Sequence, residues 1–262
     1  MLRTRWSLPL VSLVFCLLAA PAPAQSVESV VDNMRARYDK QIETVDTYIV
    51  ETNLYTTYNK KVMQDGTPTY QTQTRMKGNE STSFASSTTP SAAYGAQFDR
   101  LKQHARYAGT EMVNGARCYV LEVDDASKVN PDMGTEAGRM TYYVDAEQHL
   151  PARMVMHSQA SGQNSPQAST VTINFKNYRT TDGLTLPYRM EIALTTDMSA
   201  QQREQMRQMM QQMENMPEQQ RKQMEKMMGQ QMDMMKRMLS GKPIAVEVQS
   251  VKVNTEIPDG IF

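Results

Sequence analysis

Between Gly109 and Leu194 the sequence runs in short stretches whose apolar residues fall on every second position, and each stretch stops at a turn-forming segment. Tyr119, Leu121 and Val123 share one parity, as do Met140, Tyr142 and Val144. Ala152 to Ser158 forms the returning stretch, with Met154 and Met156 on one parity. Val171, Ile173 and Phe175 alternate with Thr172, Asn174 and Lys176, and Leu186, Tyr188, Met190, Ile192 and Leu194 alternate with Arg189 and Glu191. A period of two sends successive side chains to opposite faces of a strand, so every stretch has one dry face and one wet face. Asn114-Gly115 and Asp182-Gly183 tolerate the positive φ of tight hairpins. Asp145 to His149 and Gly162 to Pro166 supply further turns. Strands of this kind joined by short turns predict an antiparallel sheet, and a sheet this long curls until its dry face becomes a concave interior.

The flanks extend this pattern. Residues 26–43 predict an amphipathic helix, with Val27, Val30, Val31, Met34, Tyr38 and Ile42 at helical spacing and Ser26 as its cap. Its apolar stripe needs a partner, and the concave face of the sheet is the available one. Tyr48, Val50, Leu54 and Tyr58 then share one parity of a strand, Gly66 and Pro68 mark a turn, and Thr69 to Met76 returns. The Ser- and Thr-rich residues 78–93 read as a loop, with a short helix within 92–107 and a polar loop over 125–138. In the last strand Ile244, Val246 and Val248 sit on one parity and Val251 and Val253 on the other, which predicts a bulge near Gln249–Ser250. The expected architecture is α+β: a curled, half-open antiparallel barrel with an N-terminal helix, forming one domain over residues 25–262.

Residues 198–239 break the pattern. They hold 13 of the 23 methionines: Met198, Met206, Met209, Met210, Met213, Met216, Met224, Met227, Met228, Met232, Met234, Met235 and Met238. The rest is mostly Gln, Glu, Lys and Arg, all good helix formers. Met206, Met209, Met210 and Met213 form one stripe, and Met224, Met227, Met228, Met232, Met235 and Met238 a second. Pro217 interrupts them, since proline cannot sit in a helix interior without a kink or break. The segment, 198–240, is therefore a helical insert before the last strand. Three roles are open to it. The stripes can pack together and on the sheet; they can form an adaptable lid or docking face, through Met206, Met209, Met213, Met224, Met227 and Met235, for an apolar ligand or a partner protein; or the thioethers can bind a soft metal such as Cu(I).

The first residues predict export. Arg3 and Arg5 precede the mostly apolar stretch from Leu8 to Ala20, which is short for a membrane span, and Ala22 and Ala24 give a small-x-small cleavage pattern. Residues 1–24 thus read as a cleaved signal peptide leading to the periplasm. Cys16 follows Phe15 rather than a small residue, which argues against lipidation. Without Arg3 and Arg5 the chain carries 26 basic and 28 acidic residues, a balance that argues against nucleic acid as a partner. Cys118 is then the single cysteine and reads as a buried, inert thiol. His104, His149 and His157 are scattered, without zinc spacing, and there is neither a nucleophile elbow nor a phosphate-binding glycine loop. Asp124-Asp125 reads as a solvated turn. No catalytic residue, metal ligand or cofactor is expected, so the chain reads as non-enzymatic.

Several segments resemble a known family. They are Gly115-Ala116-Arg117-Cys118-Tyr119-Val120-Leu121-Glu122-Val123, Thr141-Tyr142-Tyr143-Val144-Asp145 with Leu150-Pro151-Ala152-Arg153-Met154, the run from Tyr178 through Asp182-Gly183 to Leu186-Pro187-Tyr188-Arg189, and the ending from Val253 to Phe262. They resemble the outer-membrane lipoprotein-sorting proteins, the LolA/LolB-like superfamily of periplasmic lipoprotein carriers, over about 109–195 and 243–262. The resemblance implies a half-open barrel with a helical lid whose apolar cavity holds acyl chains of lipids or lipoproteins, as a carrier or sensor. The Met-rich insert is a departure from the plain carriers. Strand parity and the resemblance together nominate Tyr48, Val50, Leu54, Tyr119, Leu121, Tyr142, Val144, Met154, Met156, Ile173, Phe175, Tyr188, Met190 and Ile192 as the apolar lining.

Overall fold

The computed structural model describes residues 25–64, 66–77, 79–84, 94–131, 138–158, 169–196, 200–217 and 241–262. Helix α1 (Val27–Thr44) is followed by strands β1 (Thr47–Thr52), β2 (Tyr55–Gln64), β3 (Thr67–Met76) and β4 (Asn79–Phe84), then helix α2 (Tyr94–His104). Strands β5 (Ala105–Val113) and β6 (Ala116–Val123), the one-turn helix α3 (Ala126–Val129), and strands β7 (Met140–Asp145), β8 (Pro151–Ser158), β9 (Ser169–Thr181) and β10 (Leu184–Thr196) come next. Helix α4 (Ala200–Glu214) and strand β11 (Ile244–Val253) complete the order. The eleven strands form one sheet in the order β4-β3-β2-β1-β11-β10-β9-β8-β7-β6-β5, with antiparallel pairs throughout. The end strands β4 and β5 do not pair with each other, so the curled sheet stays open.

The helix α1 fills part of the concave face. Ser26 caps it by accepting from Ser29 N while the Ser29 hydroxyl accepts from Ser26 N, a reciprocal capping box. The expected stripe is buried: Val30, Val31, Met34, Tyr38 and Ile42. They join Tyr48, Val50, Leu121, Val123, Met140, Tyr142, Val144, Leu184 and Leu186 in one cluster, which Phe98 and Leu101 of α2 enter from the other side. Each such side chain contributes about 1.5–3 kcal/mol on burial, which fixes the helix on the sheet. At the far end, Lys61 Nζ donates to the Ile42 carbonyl at 3.0 Å and pairs with Asp46, placing a cation at the negative end of the helix. Gly183 (φ +86°) lets the β9–β10 turn approach α1: a Cβ there would lie 2.9 Å from Thr44 Oγ1.

The bulge falls at Gln249. Thr52 faces Val248 and Glu51 faces Ser250, so one residue of β11 has no counterpart on β1. Val248, Val251 and Val253 consequently all pack against the same core cluster despite their mixed parity.

Three expectations are corrected. The run from Tyr48 to Tyr58 is two strands rather than one. The Thr52 hydroxyl accepts from Leu54 N at 3.1 Å and Tyr55 N at 2.9 Å and donates to Tyr55 O, turning the chain at Asn53–Leu54. Tyr58 therefore faces Ile49, and Asn59 faces Tyr48. The inner face of β2 and β3 is polar, with the Thr72 hydroxyl donating to Asn59 Oδ1 at 2.7 Å and Asn59 Nδ2 reaching Thr57 Oγ1. Second, residues 78–93 include a strand, β4, paired with β3. Third, the polar stretch 125–138 opens with α3, capped by the Asp125 carboxylate accepting from Ser127 N.

Candidate functional site

The apolar face of the sheet divides into two clusters. Tyr48, Val50, Leu121, Tyr142 and Val144 are buried with α1, and Tyr119, Met154 and Met156 pack against that group. Ile173, Phe175 and Met190 form a second cluster with Val246, against which Leu54, Ile192, Met154 and Met156 pack. Met154 and Met156 thus touch both. Tyr188 belongs to neither: its ring carries the Arg179 guanidinium 4.6 Å from its centre, and its hydroxyl lies 3.0 Å from Thr181 Oγ1.

A cleft of about 70 Å³ opens beside the first cluster. Met34, Arg37, Tyr38 and Gln41 line one side, spaced by the helical repeat so that all four share a face of α1. Phe98 of α2 closes one end, and His149, Leu150, Pro151, Tyr178, Thr185, Leu186 and Pro187 form the opposite wall. A volume of this size holds about five water-sized groups, a short apolar segment rather than a folded chain.

Local structure sets each wall. Gln41 Oε1 accepts from Thr185 N at 3.1 Å, fixing the spacing of α1 and β10. The Asp145 carboxylate accepts from Glu147 N and Gln148 N, both at 2.8 Å, and the Asp145 carbonyl from His149 N at 2.9 Å. That turn delivers His149 with φ +55°, and its Nδ1 is buried without a hydrogen-bond partner among the described residues. The Tyr178 hydroxyl donates to Pro151 O at 2.8 Å. Tyr38 is 7 % exposed and completes no hydrogen bond through its hydroxyl, although the Thr69 hydroxyl is near enough to act on it; burial pushes its phenol up to about 12. The Phe98 ring meets Tyr38 edge-on at 5.8 Å and carries Arg35 on its face at 5.6 Å. Helix α2 is held on α1 by the Arg35–Asp99 and Lys102–Asp32 ion pairs.

A second cleft, of about 530 Å³, lies across Leu150, Pro151 and Tyr178 from the first. Its other lining includes Val113, Asn114, Asp145, Phe175, Lys176 and Asn177. It opens beyond the Arg153–Asn174 pair, where β8 and β9 cease to be paired.

None of the fourteen residues nominated from strand parity lines the first cleft, and Phe175 lines the second. Parity identified the sheet's dry face but not the gap between helix and sheet. The available signal lay elsewhere. Leu150, Pro151, Tyr178, Thr185, Leu186 and Pro187 all belong to the segments that carry the family resemblance.

In the Met-rich segment, α4 ends at Glu214, before Pro217. Met209 is 45 % exposed. The side chains of Met206 and Met213, the expected second helix with Met224, Met227 and Met235, and the expected signal peptide at 1–24 lie outside the described residues. Among the described residues no group of three or more His, Cys, Asp or Glu could hold a metal ion, and no helix is long and apolar enough to cross a membrane. Cys118 is fully buried, and burial raises its thiol to about 11.

No family model matches the sequence, and no curated protein matches it. Solved structures align with most of the chain at low identity. A DUF1329 family protein from Desulfovibrio piger is 13 % identical, with 89 % of this chain and 95 % of that one covered and a TM-score of 0.43. A candidate outer membrane lipoprotein-sorting protein domain from Vibrio parahaemolyticus is 12 % identical, with 88 % and 94 % covered and a TM-score of 0.43. A LolA superfamily protein from Nitrosomonas europaea is 13 % identical, with 91 % and 98 % covered and a TM-score of 0.41.

Proposed function

We propose that the protein is a periplasmic, non-enzymatic carrier or sensor of lipidic ligands, and that the ligand enters between α1 and the β8–β10 wall. One observation carries this reading: the segments that resemble lipoprotein carriers, Leu150-Pro151 and Tyr178 to Pro187, supply half the lining of an apolar cleft. Met34, Phe98, Leu150, Pro151, Leu186 and Pro187 give an alkyl chain an apolar wall to lie against, with the polar groups of Arg37, Gln41, His149 and Thr185 beside it. Met154 and Met156 pack against both apolar clusters and would have to re-pack for a longer chain to extend along the sheet toward Ile173, Phe175, Met190 and Ile192. Thioether side chains re-pack readily and suit such a path. The Met-rich insert would act as the lid, adding apolar surface when a ligand is bound.

Native mass spectrometry of protein purified from the periplasm tests this. Co-purified lipid is the expected result. Bound copper without lipid would transfer the role to the Met-rich insert as a metal site, and neither would point to docking of a partner protein.

A further inference from the structure

The first cleft is apolar inside and cationic at one side. Arg37 is exposed, lines the cleft, and has no ion-pair partner among the described residues. Arg35 and Lys102, its neighbours on the two helices, are both paired, with Asp99 and Asp32. No Asp or Glu is among the lining residues, so nothing in the wall neutralises the guanidinium. Across from α1, His149 contributes a buried Nδ1 that has no hydrogen-bond partner among the described residues. The Asp145 turn fixes the backbone of His149 beside the cleft.

From this geometry we infer that the cleft selects a single-chain amphipath with an anionic head, a carboxylate or phosphate held by Arg37 and His149 while the first part of its alkyl chain lies against Met34, Phe98 and Leu186. The inference rests on the lipidic reading above and adds the charge and chain number of the ligand. A planar guanidinium offers paired donors that match the two oxygens of such a head. Arg37 is exposed, so the contact is partly screened by solvent, and its paired geometry is what favours it over a single surface charge. A volume of about 70 Å³ matches part of one alkyl chain, which is why a single chain is inferred.

The test is calorimetric titration of the full chain with dodecanoate, dodecan-1-ol and acetate, each below its aggregation limit, using the native protein, Arg37→Gln and the control Arg139→Gln. Arg139 is exposed and is not among the lining residues. Expected are dodecanoate binding that falls about threefold to tenfold in Arg37→Gln and is unchanged in Arg139→Gln, with weaker dodecan-1-ol binding that Arg37→Gln leaves unaltered. A His149→Asn variant, which tolerates the positive φ, should lose a smaller share of dodecanoate affinity. Dodecanoate and dodecan-1-ol binding equally, with no effect of Arg37→Gln, would overturn the anionic head while leaving the lipidic reading standing. Acetate binding as tightly as dodecanoate would overturn the amphipath in favour of a small free anion. Failure of both alkyl probes to bind would sink the lipidic reading itself.

Discussion

The Tyr178 hydroxyl donates to the Pro151 carbonyl at 2.8 Å, and these two residues with Leu150 form the wall common to both clefts. The bond spans the point where β8 and β9 have ceased to pair, so it substitutes for a missing backbone rung. Tyr178→Phe should lower stability to chemical denaturation by about 1 kcal/mol, the usual loss for one hydrogen bond. It should also speed association of a fluorescent fatty-acid analogue in stopped-flow measurements, because the wall then loses its side-chain link across β8 and β9. An unchanged association rate would mean that this wall does not gate access.

The Met-rich insert leaves β10 and returns at β11, two strands already paired from Arg189–Glu247 to Ile192–Ile244. Deleting residues 199–240 and joining the flanks should therefore leave a folded sheet, with its strand signal in circular dichroism retained. If the insert is a lid, affinity for alkyl probes should fall. Replacing Met209, Met213, Met227 and Met235 with Gln keeps helix propensity and removes the apolar stripe, and should weaken binding in the same direction. Aggregation of the deletion variant would show that the insert belongs to the core.

Deleting Gln249 removes the unmatched residue of β11. Thr52 would still face Val248 and Glu51 would face Ser250, so Val246, Val248, Val251 and Val253 would fall on one uninterrupted parity and keep the inner face. The deletion should therefore cost less than about 1 kcal/mol in chemical denaturation, because it removes local twist and no core burial. A loss of about 2–4 kcal/mol, as for two valines leaving the core, would show that the bulge itself fixes the placement of the strand.

Buried tyrosines make the fold sensitive to alkali. Tyr38 is raised to about 12 by burial, whereas an unfolded tyrosine titrates near 10. The folded state therefore favours the neutral phenol. Its contribution is fully present below about pH 10 and is lost as pH rises toward 12, a difference of roughly 2–3 kcal/mol. Tyr70 and Tyr142 are raised in the same direction by the same cause. Tyr38→Phe should shift the alkaline unfolding midpoint upward, followed by tyrosinate absorbance. A midpoint that does not move would show that Tyr38 ionises without unfolding.

Cys118 is fully enclosed and its thiol is raised to about 11 by burial. At neutral to mildly alkaline pH it should react with a maleimide or disulfide reagent about 100-fold more slowly in the native protein than in guanidinium-unfolded chain. Comparable rates would place the thiol at the surface.

What could be read from the sequence was whatever repeats along it. The helical spacing of Val30, Val31, Met34, Tyr38 and Ile42, and the parity change across Gln249, are local patterns with one structural meaning each. The split at Asn53 was obscured because Thr52, Leu54 and Tyr58 continue the alternation through the turn. Its signal was the Thr52 hydroxyl, whose bonds to the next backbone amides compete with an extended strand. The cleft had no periodic signature at all. Arg37 lies on the polar side of the helix stripe, and His149 became part of the wall through a turn, so only the docking of α1 against β10 brings them to one place.

The strand order carries a consequence for how the chain acquires its shape. β11, the last of the described strands along the chain, lies between β1 and β10 and, among the described residues, is the strand that pairs the two wings of the sheet. Until it arrives, β1 to β4 and β5 to β10 are two separate ribbons, each exposing a raw edge. Closing that gap joins residues about 200 positions apart, such as Val50 and Val251, and pairing over such distances is intrinsically slow. During that interval both edges invite pairing with other chains. The nascent protein thus depends on being kept apart from its copies until its C-terminal strand slots in, and a chain truncated before Ile244 should remain a sticky pair of half-sheets.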